Sequence, residues 1–476
     1  LSGEPTRRRP NLIYIFADQL RYQSCGYAGD AKAHTPNIDN FARQSVSFCN
    51  AVSGYPVCGP YRNSLFTGKY PSSTGMVINE LRCLPDEDAF GHVVTRSGYE
   101  TAYIGKWHLY GADHSQQFVP PGPYRLGFDG FWAGHNFHHH YYKGFYYNDT
   151  DERRQVPGYE PDFQTEMAVE WLNRADRSKP FTMFLSYGTP HDPWDWENCP
   201  EEFNALFRDI EFPEPPNYRD GSADKYWGKP GKMTKEWFLE HWKPKREQFM
   251  KVYYAMAANL DRNFGKLLDA VDKTGLAEDT IIVFTSDHGE MFGAQGRIAK
   301  KIFFEEAIRV PFLIRWKGHT PEGFVSDACL DTPDIMPTLL ELMDLPIPES
   351  VEGMSLKSHV LGLPGPEPEA AFMQGMGHTH LWVDGDEWRS VRDKQYTYAV
   401  MKHDGSEYLF DHRQDPYQMN NLVESKAFAE VLQSCRSMLQ RRMERLGDTF
   451  EDCTWYREHW MDEQNERQIV RTAVRA

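Results

Sequence analysis

The sequence predicts an α/β protein: a large mixed, mostly parallel sheet sandwiched by helices, followed by a small C-terminal α+β subdomain. Three observations carry this. Short runs rich in β-branched and aromatic residues alternate with segments of helical period, the pattern of strands joined by crossover helices. The runs are apolar along their whole length, as strands buried on both faces are. After a Pro/Gly-rich stretch at 346–368, which reads as a linker, the texture changes to short strand-like runs and one long helix.

In order along the chain, residues 11–17 (NLIYIFA) form the first predicted strand. Residues 36–45 are a predicted helix with Thr35 at the cap and Pro36 in the first turn. Residues 101–105 and 181–187 are predicted strands, and 163–175 and 248–273 predicted helices. Residues 280–285 and 310–315 add two strands, and 331–343 a helix with Pro333 near its start. Between them, 188–246 are rich in Pro, Trp, Asp and Glu with little periodicity, and read as a specificity insertion. The catalytic unit is expected over 1–365 and the C-terminal subdomain over 366–476, with strands near 396–401 and 407–410 and a helix from about 425 to 446. In sheets of this kind ligands gather at the carboxyl ends of strands, where both Asp18 and Asp287 fall.

Composition narrows the function. The 476 residues are ample for a buried core, and 52 Lys+Arg against 69 Asp+Glu leave a net charge of −17. Such a chain is a poor nucleic-acid binder, since phosphate neutralisation needs Lys and Arg. An anionic small substrate is still allowed, because a pocket can be locally basic. The sequence holds no run of about 18 apolar residues, so no membrane span is expected. The eight cysteines show neither CxxC nor zinc-finger spacing. Seven of them read as small buried residues, and Cys58 does not.

Cys58 stands in Val57-Cys58-Gly59-Pro60-Tyr61-Arg62, followed by Thr67-Gly68. Pro60 belongs to a helix's first turn, so Cys58 sits where free N–H groups and the helix dipole favour negative charge. Arg62 lies one turn on, on the same face. A nucleophile placed here is held beside an anion site.

This segment resembles the signature of the formylglycine-dependent sulfatases of the alkaline-phosphatase-like superfamily, Cys-x-Pro-x-Arg followed by Thr-Gly. The resemblance runs in order through nearly the whole chain: 11–21, Gly105-Lys106-Trp107-His108, Thr189-Pro190-His191, Ser286-Asp287-His288-Gly289, Ala299-Lys300, Arg309-Val310-Pro311, and 409–422 before the last long helix. It departs at Gln19, where the family has a second Asp, and at Tyr61, where the family has a small residue.

The resemblance implies that Cys58 is oxidised to formylglycine by a formylglycine-generating enzyme, and that its hydrate is the nucleophile. It implies one divalent cation, Ca²⁺ with Mg²⁺ as the other option, on Asp18, Gln19, Asp287 and His288, a mostly oxygen set suited to hard ions. Arg62 then steadies the attacking oxygen and stabilises its charge, while Lys106 and Lys300 clamp the sulfate oxygens. His191, with Lys300, protonates the leaving oxygen, and His108 takes a proton in the second step. Gln19 also prompts an alternative on the same scaffold, a phosphonate monoester or phosphodiester hydrolase. The two lysines and two histidines favour the sulfatase. A non-catalytic carbohydrate-binding relative is disfavoured, because no nucleophile or metal position is lost.

The expected substrate is a sulfated oligosaccharide or polysaccharide, with His135 and Trp194 as candidate sugar contacts. The run His138-His139-His140 cannot turn all three rings to one ion, and reads as a polar loop. The expected location is periplasmic or secreted. The pattern carries no oligomer signature.

Overall fold

The computed structural model describes residues 9–111, 117–221 and 234–461. The strands, in chain order, are β1 (Asn11–Asp18), β2 (Val46–Ala51), β3 (Glu100–Lys106), β4 (Phe131–His135), the two-residue pair β5 (Phe145–Tyr146) and β6 (Arg154–Gln155), β7 (Phe181–Pro190), β8 (Thr280–Ser286), β9 (Phe312–Trp316), β10 (Phe324–Leu330), β11 (Ala371–Gly375), β12 (Trp388–Arg392), β13 (Tyr396–Met401) and β14 (Glu407–Asp411). Eight of them make the large sheet, in the order β10-β2-β9-β8-β1-β7-β3-β4. All neighbours are parallel except β9, which runs antiparallel to both β2 and β8. The expected mixed, mostly parallel sheet is therefore present.

β1 shows why the sheet is a sandwich. Its residues are buried without exception. Leu12, Tyr14 and Phe16 point into one core with Phe66, Phe184 and Leu339. Ile13, Ile15 and Ala17 point into the other, with Phe41, Leu185 and the Arg246–Lys273 helix. Strands buried on both faces must be apolar throughout, since alternation would put a polar side chain into one of the two cores. Both flanking pairs of β1, with β7 and β8, hold register over at least five residues.

The structure moves several expected boundaries. β9 starts at Phe312 because Pro311 has no N–H for the ladder. Thr35 sits at the N-cap of the Pro36–Arg43 helix without capping it; its hydroxyl accepts from Gly26 N and donates to Asp39. The 188–246 insertion is not uniformly irregular: it carries the Glu201–Phe207 helix, which packs on the long Arg246–Lys273 helix.

Beyond the linker, β11 to β14 form a simple antiparallel meander covered by the Ala429–Leu446 helix. Residues 366–461 do not stand apart from the main unit. The last helix among the described residues, Cys453–Trp460, crosses back, and Cys453, Tyr456 and Trp460 join the core that holds Leu12 and Phe16. Gly75 makes room for this return: a Cβ there would lie 2.2 Å from the Trp460 ring.

Candidate active site

Four parallel strands end at one place. β1 delivers Asp18, β3 Lys106, β7 the Thr189-Pro190-His191 turn and β8 Asp287 with His288. This is the carboxyl edge of the sheet, where crossover helices leave a crevice. Gly105 lets β3 bend into position: its φ is +104°, and a Cβ would lie 2.0 Å from the Ser186 carbonyl. Only glycine fits there.

Cys58 opens the Cys58–Thr67 helix from the opposite side. Asn79 caps that helix from outside, its Oδ1 accepting from Gly59 N at 2.8 Å. The Cys58 Sγ lies 3.3 Å from His288 Nε2, 3.5 Å from Lys300 Nζ, 3.7 Å from Asp18 Oδ1 and 3.9 Å from Lys106 Nζ. Arg62, one turn on, is fully buried; it donates to the Lys106 carbonyl at 2.6 Å and to Ser186 Oγ at 2.7 Å. Its other amino group faces Asp18 and Asp287 at 3.5 and 3.4 Å. Lys106 Nζ pairs with Asp18 at 2.5 Å.

The electrostatics separate the two carboxylates. Burial pushes Asp18 up, but Lys106, His191, Lys300 and His288 outweigh it and hold the group well below its ordinary range. Asp287 goes the other way, to about 6, through burial and the neighbouring Asp18 charge. Burial, with Asp18 next, lifts the Cys58 thiol to about 11. His108 and His288 are held neutral, first by burial and then by the lysines beside them.

The donor set fits a cation. Asp18, Cys58, Asp287 and His288 bring ligand atoms within 4.8 Å of one another, all buried. His288 Nδ1 faces the Gly289 carbonyl at 2.9 Å and donates its proton there, which leaves the Nε2 lone pair turned to Asp18 and Asp287 at 3.6 and 3.5 Å. The cluster is consistent with one bound metal ion.

Gln19 sits beside the cluster with φ +71°. Its backbone N–H donates to Asp287 Oδ1 at 3.0 Å. Its side-chain carbonyl accepts from Lys300 and its amide donates to Glu290, each at 2.7 Å. Glu290 is a residue the sequence reading missed. Through Oε1 it also accepts from Phe292 N and Ala299 N, which fixes the turn that presents Lys300. A Glu two residues after His288 in an otherwise apolar, glycine-rich stretch was the available signal.

His191 Nδ1 faces Asp192 Oδ1 at 3.0 Å, and Nε2 lies 2.9 Å from Lys300 Nζ. His108, with φ +57°, packs its ring on Phe137 at 4.4 Å, and its Nδ1 is buried without a partner. The cavity above Cys58 has a volume of about 300 Å³. Its outer wall holds Asn79, Glu80, Phe137, His139, His378 and His380, none of them predicted as site residues. His139 stacks on His191 with ring centroids 4.1 Å apart, so the second histidine of the triple run faces the site.

Neither expected sugar contact lines this cavity. Trp194 is a core residue: its Nε1 donates to the Pro190 carbonyl at 2.7 Å and its ring packs among Phe249, Tyr253 and Phe292. His135 is buried at the end of β4, stacked on His138.

Fold and site together place one buried thiol among a cluster that fits a cation and three buried positive side chains. The sulfatase family model matches residues 10–345, and a model described as "N-sulphoglucosamine sulphohydrolase, C-terminal" matches 293–445. The chain therefore belongs to the sulfatase family, and it is a sulfuric ester hydrolase. It is 37% identical to an ulvan-active sulfatase of Formosa agariphila over 459 residues, 95% of this chain and 84% of that one. It is 30% identical to an endo-4-O-sulfatase of Bacteroides thetaiotaomicron, covering 89% of this chain and 90% of the relative. Among solved structures, one from work on glycosaminoglycan metabolism by Bacteroides thetaiotaomicron superposes with a TM-score of 0.79 at 26% identity, over 95% of this chain and 98% of that one.

Proposed function

We propose that this sulfatase removes sulfate esters from a sulfated carbohydrate, with residue 58 as nucleophile after conversion to formylglycine. The observation that carries this is the charge around Cys58. Arg62, Lys106 and Lys300 outnumber Asp18 and Asp287, and all are buried, so the site has a standing demand for an anion. The names of the relatives support a polysaccharide substrate.

Asp18, Asp287 and His288, with Gln19 beside them, would hold a divalent cation, which would supply Lewis acidity toward a sulfate oxygen and the nucleophile. Formylglycine supplies a hydrated aldehyde in place of the thiol. Lys106 and Lys300 bind sulfate oxygens as point charges, and Arg62 neutralises the charge that develops beside residue 58. Asp192 orients His191 through Nδ1. The proton shared between His191 Nε2 and Lys300 Nζ is then the one available to the leaving sugar oxygen. His108, neutral and with a free Nδ1, is the base on the other side. Calcium suits the mostly oxygen cluster better than magnesium, whose octahedral demand is stricter. A periplasmic or secreted location fits a polymeric substrate.

The test is a desulfation screen over defined sulfated oligosaccharides, with an aryl sulfate and a phosphodiester on the same preparation. Turnover of at least one saccharide well above the phosphodiester is expected. A phosphodiester preferred over every sulfate ester overturns the reading. Chelation should abolish turnover, with Ca²⁺ or Mg²⁺ restoring it.

A further inference from the structure

A second set of metal-type ligands lies outside the catalytic cluster and has no part in the chemistry above. His135 at the end of β4, His138 three residues on, and Glu160 at the start of the Glu160–Arg174 helix bring their ligand atoms within 4.8 Å of one another. All three are buried. His135 Nε2 and Glu160 Oε2 have no hydrogen-bond partner. An unpaired buried polar atom forfeits the hydrogen bonds it would make in water, so two in one place call for a ligand. Among the described residues no lysine or arginine forms an ion pair with Glu160; its near neighbour is His138 Nε2 at 3.4 Å. The backbone closes over the carboxylate at Gly144, where a Cβ would lie 2.2 Å from Glu160 Oε2.

We propose that His135, His138 and Glu160 bind a second divalent ion, zinc or one with zinc's preference for imidazole and carboxylate, and that this ion braces the loop forming one wall of the active-site cavity. Two imidazoles and one carboxylate in a closed site suit zinc and are nitrogen-rich for calcium. The Phe145 carbonyl, 3.0 Å from His138 Nε2, is a further oxygen donor at the same place.

The protons balance as follows. Without an ion, the His140 N–H donates to His138 Nδ1 over a long 3.3 Å, which leaves the ring proton on Nε2, directed at Phe145. With an ion, Nε2 gives its lone pair to the metal, the ring proton moves to Nδ1, and both the Phe145 carbonyl and the long His140 N–H contact are released. Glu160 binds as its carboxylate, and any proton on it leaves to solvent as the ion enters.

The loop geometry gives such an ion a purpose. Phe137 and His139 alternate with the ligands and turn the opposite way. Lys106 Nζ lies 5.0 Å from the Phe137 ring centre, and His139 stacks on His191. Fixing 135 and 138 therefore fixes the two side chains that touch the catalytic lysine and acid. Of the triple histidine run only His138 is a ligand.

The test counts metal on the full chain. A Cys58→Ala, Asp287→Asn chain, with its catalytic cluster disabled, is loaded with zinc, dialysed and assayed by atomic emission. One tightly held zinc per chain is expected, falling to none when Glu160→Gln or His138→Ala is added. Cobalt in place of zinc should give a visible absorption band lost in the same variants. Zinc content unchanged by Glu160→Gln and His138→Ala, or no zinc retained by the parent chain, overturns the proposal. Should those variants fail to fold, zinc-edge anomalous diffraction from the unaltered enzyme decides it by a peak, or none, between the three side chains. Neither readout depends on which ester the enzyme cleaves.

Discussion

Two regions of buried charge in this molecule are built differently. Under the C-terminal meander, Arg389 bridges Asp448 through two bonds of 2.5 and 2.9 Å, and Gln374 adds a third to the same carboxylate. Close by, Arg392 grips Glu305 at 2.7 and 3.1 Å and donates its remaining amino group to Asn50. Each of these two arginines closes a two-bonded pair with a carboxylate. Around Cys58 the charges do not match. Three cations, Arg62, Lys106 and Lys300, gather around the buried Asp18 and Asp287, the Arg62 contacts are long at 3.4 and 3.5 Å, and Arg62 Nε and His108 Nδ1 are unpaired. Burial is equal in the two places. What marks the functional one is the unmet balance, because a closed pair has nothing left to offer a substrate.

Cys58→Ser should break the catalytic side of this contrast most completely. Turnover is expected to fall by about 10⁴-fold or more, the scale of nucleophile loss, while thermal melting stays near that of the parent. Retained activity would show that the surplus of cations serves something other than residue 58.

His191→Ala should lose about 10²–10⁴-fold on a sulfated sugar, the worth of a general acid. On an aryl sulfate, whose leaving phenol has a pKa of about 10, the loss should be clearly smaller. Equal losses on both would make His191 a sulfate-binding residue.

Asp448→Asn and Asp287→Asn sharpen the contrast directly. The first leaves Arg389 buried and unmatched, and should cost about 3–5 kcal/mol in guanidinium unfolding with KM unchanged. The second removes a carboxylate that is already lifted to about 6 by burial and Asp18, so it should abolish turnover yet cost less stability than Asp448→Asn. The reverse ranking in denaturation would end the comparison.

The smallest effect is a pH dependence. Burial raises Glu305, but Arg392 and His412 outweigh it and hold it at about 2, below its ordinary 4.5. A depressed carboxylate stabilises the fold fully above its unfolded value and loses that contribution as pH falls toward the folded one. The denaturation midpoint should therefore drop between about pH 4.5 and 2, and Glu305→Gln should flatten that slope.

How much of this was legible beforehand depends on where each residue's partners lie. β1, β3, β7 and β8 were readable because double burial forces continuous apolar runs. β2 (VSFCNA) and β10 (FVSDACL) were not, because polar residues interrupt them, and β10 begins with exposed Phe324 and Val325. The residues beside Cys58 were legible because each belongs to a short local motif, and all but Arg62 and Lys300 stand at or near a strand or helix end. The cavity wall was not, since Asn79, His139 and His378 meet only through the fold. His135 and Trp194 misled by residue type. Each looked like a sugar contact, yet the structure sinks one beside His138 and spends the other's N–H on Pro190.

The Cys58–Thr67 helix has a consequence for the timing of biogenesis. All ten of its residues are buried, so the finished molecule presents no handle to any enzyme that must grasp the Cys-x-Pro-x-Arg stretch. The proposed conversion of Cys58 is thus a race against folding. Strand β8, which completes the wall beside it, is synthesised roughly 230 residues after Cys58, a delay on the order of 10–45 s at ~5–20 residues per second. A parallel sheet that cannot close until its distant strands exist, and closes slowly even then, holds that window open. The order of the strands is in this sense also a clock.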